Sequence, residues 1–161
     1  MKRVTLITGA SRGIGAATAR LCAADGHAVA INYCSDAPAA ERVRAEIESV
    51  GGTAIVVQGD TGIEADILRM FETVDRALGT ITGLVNNAGI HGPRGRLDAL
   101  GADDIFRVLA VNVHGCFLCA REAVKRMSTK HGGAGGAIVN VSSGSARLGN
   151  PNDGVLYAAS K

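Results

Sequence analysis

The sequence predicts an α/β fold built on a doubly wound parallel sheet of strand order 3-2-1-4-5. Three observations predict it. Short β-branched runs alternate with longer amphipathic ones, and the first run leads directly into a glycine-rich turn that opens a helix. Right-handed crossovers between parallel strands then leave few other orders.

Residues 3–8 (RVTLIT) read as the first strand and 14–25 (IGAATARLCAAD) as the helix that follows the turn. Strand 28–33 (AVAINY), helix 38–50, strand 53–58 (TAIVVQ) and helix 63–78 complete the first half. The second half has strand 83–87 (GLVNN), one long helix over about 104–128, a glycine-rich turn at 132–136 and strand 137–142 (AIVNVS). A further helix starts near Val155. Each strand is about six residues and most helices are 12 to 16, the proportions of βαβ units. The sixth strand of the usual doubly wound sheet is absent, and neither a repeat nor a linker divides residues 1–161, so one domain is expected.

Composition narrows the function classes. Apolar residues are 47%, charged residues 20%, and the formal charge is +2, which fits a soluble globular protein. No run of Lys or Arg could track a phosphate backbone, so nucleic acid is not an expected partner. No run reaches the roughly 18 apolar residues of a membrane span, and the N-terminal apolar stretch, broken by Thr5, Thr8 and Gly9, is too short for a signal sequence. A cytoplasmic protein is expected. Cys22, Cys34, Cys116 and Cys119 lack disulfide-scaffold spacing and read as free thiols. The pair CFLC at 116–119 has no second Cys or His pair to complete a metal site, so no metal is expected.

The turn TGASRGIG at 8–15 has glycines at 9, 13 and 15 and opens a helix. Glycines let backbone approach a pyrophosphate, while the helix N-terminus offers free N–H groups and a favourable dipole. The spacing G-x-x-x-G-x-G departs from the general G-x-G-x-x-G. In that general pattern an acid at the end of the second strand binds the adenosine ribose. Here the region is INYCSD at 31–36, whose first acid, Asp36, comes well after the expected strand end at Asn32. Arg12 lies within the turn, where a guanidinium pairs with a 2′-phosphate. A missing acid and a present base favour NADP over NAD, and Asn32 is counted among the cofactor-facing residues.

TGASRGIG at 8–15, NNAG at 86–89, VNVHG at 111–115, VNVSS at 139–143 and YAASK at 157–161 together resemble the short-chain dehydrogenase/reductase family. The likeness extends to its NADP-dependent members, among them 3-oxoacyl-carrier-protein reductases and glucose-dehydrogenase-like oxidoreductases. The resemblance implies a Rossmann fold and hydride transfer between NADP(H) and a small carbonyl or secondary-alcohol substrate. It implies that Gly9, Ser11, Arg12, Gly13, Ile14 and Gly15 cradle the phosphates, that Asp60 and Thr61 meet the adenine, and that Asn87, Ala88 and Gly89 run beside the cofactor. For Asn86 and Asn87, stapling of neighbouring strands is the other reading.

The family's tetrad maps onto Asn112, Ser143, Tyr157 and Lys161. A free phenol ionises near pH 10, so acid–base work near neutrality needs neighbouring positive charge. Lys161, one helical turn on, with an oxidised nicotinamide, would favour the phenolate and would also hold the nicotinamide ribose. Tyr157 would give its proton to the carbonyl oxygen as hydride arrives, Ser143 would hold that oxygen, and Asn112 would position a water. Ser142 competes with Ser143, which is preferred because Gly149 then falls six residues later, where the family has its glycine. The loop from Gly149 to Tyr157 is about one residue longer than in many relatives.

His91 and Arg94 are candidates to face a substrate, in a loop that is polar in any case. Phe106, Leu109, Val113 and Phe117 lie at helical spacing and read as core or subunit packing; in the relatives this helix lies in a dimer interface, and a dimer or tetramer is expected of the full-length form. Relatives continue past the YAASK helix into a sixth strand, a mobile loop, further helices and a seventh strand. The sequence thus reads as the cofactor-binding and catalytic portion of a reductase, with its fifth strand a bare edge. On its own it is expected to be poorly stable and weakly active; within a longer product, a working enzyme. A non-catalytic dinucleotide-binding module is the alternative of a different class.

Overall fold

A computed structural model describes residues 3–161 of the chain. Five parallel strands, β1 (Val4–Ile7), β2 (Ala28–Tyr33), β3 (Thr53–Gln58), β4 (Gly83–Asn86) and β5 (Ala137–Asn140), lie in the order β3-β2-β1-β4-β5. The expected order is the observed one. Helices α1 (Gly13–Ala24) and α2 (Ala37–Ser49) cover one face, and α3 (Glu64–Ala77) and α5 (Gly115–Met127) the other. The period-2 alternation of the strands sorts the two cores: Leu6, Ala30 and Leu84 face Phe71 and Leu118, while Ile7, Ile31 and Val85 face Ala19 and Val43.

Local chemistry fixes the helices that carry this core. In α3, Ile67, Met70, Phe71 and Val74 are fully buried at i, i+3, i+4 and i+7, and each such side chain contributes roughly 1.5–3 kcal/mol by leaving water. Asp36 caps α2 by accepting from the Ala39 N–H at 3.0 Å, and Pro38 stands in its first turn, where a missing donor does no harm.

The long helix expected over 104–128 is observed in three parts: α4 (Ala102–Leu109), a π-helical segment (Ala110–His114) and α5. This segment takes up about one extra residue per turn, and its middle residue, Asn112, is held by the tertiary contacts described below. β5 ends two residues earlier than expected, since beyond Asn140 only the Val141 N–H still reaches the ladder, at the Asn86 carbonyl. Two short helices close the chain, α6 (Ser145–Leu148), which the sequence did not signal, and α7 (Val155–Ala159). Phe106 and Phe117 are each 73% exposed and belong to no core.

Behind the sheet, α5 is tied to α3 through Arg126–Asp75 and Arg121–Glu64, and the arginines are ordered by Glu122 of α5, which is 4% exposed. Burial alone would push its carboxyl up, but hydrogen bonds from Lys125 at 2.8 Å, Arg126 at 3.0 Å and Arg121 at 3.1 Å outweigh it and hold it below the usual range. Arg126 also reaches Asp75 at 2.7 Å and lies 5.0 Å over the Phe71 ring. We expect Glu122→Ala to cost about 2 kcal/mol, less than a fully buried pair because Arg121 and Lys125 are half exposed. A carboxylate with a depressed folded pKa stabilises above its unfolded value and loses that contribution as pH falls through the folded one. Denaturant melts of parent and variant should therefore differ at neutral pH and converge in acid.

Candidate active site

All five strands end at one edge of the molecule, and the strand order reverses between β1 and β4, where doubly wound sheets bind ligands. The turn after β1 lies there. Gly9 has φ +62°, and a Cβ on it would stand 2.9 Å from the Ala88 Cα, so the loop after β4 runs hard against the turn. Gly15 is buried beneath, with a Cβ position 2.5 Å from the Asn87 amide nitrogen. That nitrogen donates to the Thr8 and Gly9 carbonyls at 2.9 and 3.0 Å, while the Thr8 hydroxyl accepts from the Asn87 and Ala88 N–H groups. Asn86 in turn donates to the Cys116 carbonyl and to Asn140. Both asparagines of NNAG are staples.

The cleft so formed, about 460 Å³, is lined by Gly9, Ser11, Arg12, Gly13, Ile14, Asn32, Asp60, Thr61, Asn87, Ala88 and Gly89, every residue assigned to the cofactor turn and loops except the underlying Gly15. Ile14 is 66% exposed on its wall. No side chain caps α1, unlike α2, so its first N–H groups remain available to an anion. Arg12 has no carboxylate partner among the described residues, and Asp36 is occupied as the α2 cap. This uncapped, glycine-walled, positively flanked cleft fits a dinucleotide.

Asn32 lines the cleft through its contacts with the protein. It is 1% exposed, its oxygen accepts from the Gly9 N–H at 3.0 Å and its nitrogen donates to the Val57 and Gly59 carbonyls. Its polar atoms are committed to protein, and it shapes the cleft by holding Gly9 in place. Asp60 is also engaged: its carboxylate takes a two-pronged pair from Arg107 of α4, at 2.7 and 3.2 Å, and accepts from the Gly62 N–H. Arg107 went unread in the sequence because its partner is 47 residues away.

A second cavity of about 310 Å³ continues the cleft, sharing Thr61, Ala88 and Val111, and is lined by Asn112, Cys116, Ser142, Ser160 and Lys161. The π-helical segment presents Asn112 to it. The Asn112 oxygen accepts from the Ile90 N–H at 2.8 Å, and its nitrogen donates to the Ile90 carbonyl at 2.9 Å and the Ser160 hydroxyl at 2.8 Å. Ser160, inside the YAASK motif but unassigned in the sequence, thereby ties α7 to this segment. Lys161 is half-buried, and desolvation pulls its ammonium below the ordinary lysine value, opposed by the Cys116 thiol. Its nitrogen stands 3.4 Å from the Cβ position of Gly89, with the Asn112 oxygen 3.5 Å from the same point. The Tyr157 hydroxyl makes no hydrogen bond among the described residues.

The two serines divide differently. Ser142 lines the cavity and donates to the Lys161 carbonyl at 2.9 Å; Ser143 accepts from the Ser145 N–H at 3.2 Å, at the start of α6. All four cysteines are free, and burial pushes the Cys119 thiol up to about 12, which leaves it unreactive. Among the described residues no cluster of three or more His, Cys, Asp or Glu could hold a metal, and no helix is long and apolar enough to cross a membrane.

Comparison with known proteins bears on this geometry. An uncharacterized oxidoreductase of Escherichia coli, YgfF, is 51% identical over 98% of this chain and 64% of its own length. The 3-oxoacyl-[acyl-carrier-protein] reductase of a Synechocystis species is 38% identical over 99% of this chain and 62% of its own. The crystal structure of a Burkholderia cenocepacia short-chain dehydrogenase in complex with NADP superposes with a TM-score of 0.90 at 42% identity, over 99% of this chain and 62% of that one. The chain thus spans a little under two thirds of the length of these relatives. The pattern defining the short chain dehydrogenase family matches residues 3–161, and with that match the chain belongs to the short-chain dehydrogenase/reductase family.

Proposed function

We propose that this chain carries the cofactor-binding and catalytic machinery of an NADP(H)-dependent oxidoreductase acting on a carbonyl or secondary-alcohol substrate. The observation that carries the reading is the arrangement around α7, where the Asn112 amide staples loop, π-segment and helix and the desolvated Lys161 ammonium lines the cavity that continues the dinucleotide cleft, with Tyr157 on the same helix. NADPH bound in the cleft supplies hydride. The N-terminus of α1 and the glycine turn hold its phosphates, and Arg12 reads the 2′-phosphate. Tyr157 gives a proton to the carbonyl oxygen, or takes one from the alcohol in the reverse direction. Lys161 favours the phenolate that results and binds ribose hydroxyls, and Ser143 holds the substrate oxygen. Asn112 keeps Lys161 and the loop after β4 in register. Free thiols suit a reducing cytoplasmic compartment, and exposed Phe106, Leu109 and Phe117 support a homo-oligomer of the full-length protein.

Parallel fluorescence titrations with NADPH and NADH test the cofactor assignment. Arg12→Ala should weaken NADPH by about 10- to 100-fold, the worth of one charge-assisted contact, while leaving NADH affinity as it was. Equal affinity of the parent for both nucleotides would overturn it.

A further inference from the structure

We propose that His91 is a positioning residue for Tyr157: its imidazole covers one face of the phenol and leaves the other face and the hydroxyl to the substrate. The inference rests on the reading of Tyr157 as the proton donor. The two rings are stacked, with centroids 3.9 Å apart and planes inclined by 20°. An exposed loop histidine could rest anywhere, but this one is held on both sides. One residue before it, Ile90 is bonded at both N–H and carbonyl to the Asn112 side chain. Four residues after it, the Gly95 N–H donates to the Asp153 carbonyl at 2.8 Å, Gly95 and Gly154 form a parallel bridge, and Arg94 stands 3.8 Å from the Asp153 carboxylate. Between these ties Gly92, at φ +70°, lies directly on Val108 of α4.

Residues 90–95 are therefore a strap that fastens the loop before α7 to the π-segment, with His91 at its centre. The phenol needs such support. Helix α7 has five residues, too few to fix a side chain by its own stability, and the Tyr157 hydroxyl has no partner among the described residues to orient it. A flat ring against the phenol restricts its rotation without occupying the hydroxyl, and it makes one side of the site a wall, so a carbonyl must approach from the other. His91 acts through Tyr157; it touches neither the transferred hydride nor the proton.

The test compares His91→Ala, His91→Gln and His91→Phe in the full chain, using NADPH and the best-turned-over carbonyl from a panel of aliphatic and aromatic aldehydes and ketones. Removal of the ring in the Ala and Gln variants should lower kcat on the order of tenfold, with NADPH affinity unchanged. The Phe variant, which keeps the stack without the polar atoms, should recover most of that loss. A readout independent of turnover is tyrosine emission, clean here because the chain has two tyrosines and no tryptophan. Loss of the stacked imidazole must change it, and the change must vanish in a Tyr157→Phe background. Parent-like kcat and emission in His91→Ala, beside an inactive Tyr157→Phe, would overturn the positioning role and leave the proton donor standing. An active Tyr157→Phe would overturn both. Rescue by Gln but not by Phe would replace the ring face with a polar contact and overturn the stacking argument.

Discussion

Tyr157→Phe should abolish carbonyl reduction while leaving NADPH affinity within error of the parent. The substitution removes the oxygen of a hydroxyl that has no hydrogen-bond partner among the described residues, so no hydrogen bond among them is lost. The chemical loss is large. A positioned general acid contributes typically 10²–10⁴-fold, or about 3–5.5 kcal/mol of barrier. The Lys161 ammonium stands beside Gly89 and Asn112. Steady-state kinetics with the nucleotide titration alongside decides the matter. Lost turnover with intact binding identifies an enzyme whose acid is Tyr157; intact binding with no turnover even in the parent supports a dinucleotide-binding module instead. Retained turnover in the variant would remove Tyr157 from the chemistry.

Much of this framework was legible because hydropathy carries it. Strand 28–33 is a run of β-branched and small apolar residues buried on both faces, strand 53–58 a similar run buried or half-buried in its middle, and the crossover rule converts their sequence order into a spatial one. The glycine turn was legible because its spacing and its place between strand and helix have a mechanical meaning. What hydropathy does not carry went unread. Apolar residues from Ile105 to Met127 keep helical spacing through the π-segment, since one added residue barely disturbs a period of 3.6. The cause lies elsewhere in the fold, in Ile90, Ser160 and Thr61. The Arg107–Asp60 pair, the full engagement of Asn32 and the contact of His91 with Tyr157 are likewise facts of three-dimensional proximity between segments whose local sequence gives no hint of each other.

Gly115→Ala is expected to be the most damaging single methyl in the chain. Gly115 is the first residue of α5, and a Cβ there would penetrate the carbonyl oxygen of Thr61 and lie 2.9 Å from its carbon. Both partners are backbone, one in a helix and one in the buried loop after β3, so neither can swing aside as a side chain would. Relief requires α5 to move bodily, at a cost on the order of 3 kcal/mol for overpacking a dense interior. For a chain of this size that is a fall in Tm of roughly 10 °C. Gly144→Ala, at φ −56° with open space around its Cβ position, should melt like the parent. The consequence for function follows from connectivity. Asn112 is three residues upstream in the π-segment, and moving the start of α5 drags its amide away from Ile90 and Ser160, loosening the loop after β4 and α7 together. Turnover should therefore fall by on the order of tenfold or more even at temperatures where the variant is folded, because sub-ångström placement of the reacting groups is what is lost. A Gly115→Ala protein with the parent's Tm would mean that α5 does not rest on Thr61, and the link between the helix break and the placement of Asn112 would have to be abandoned.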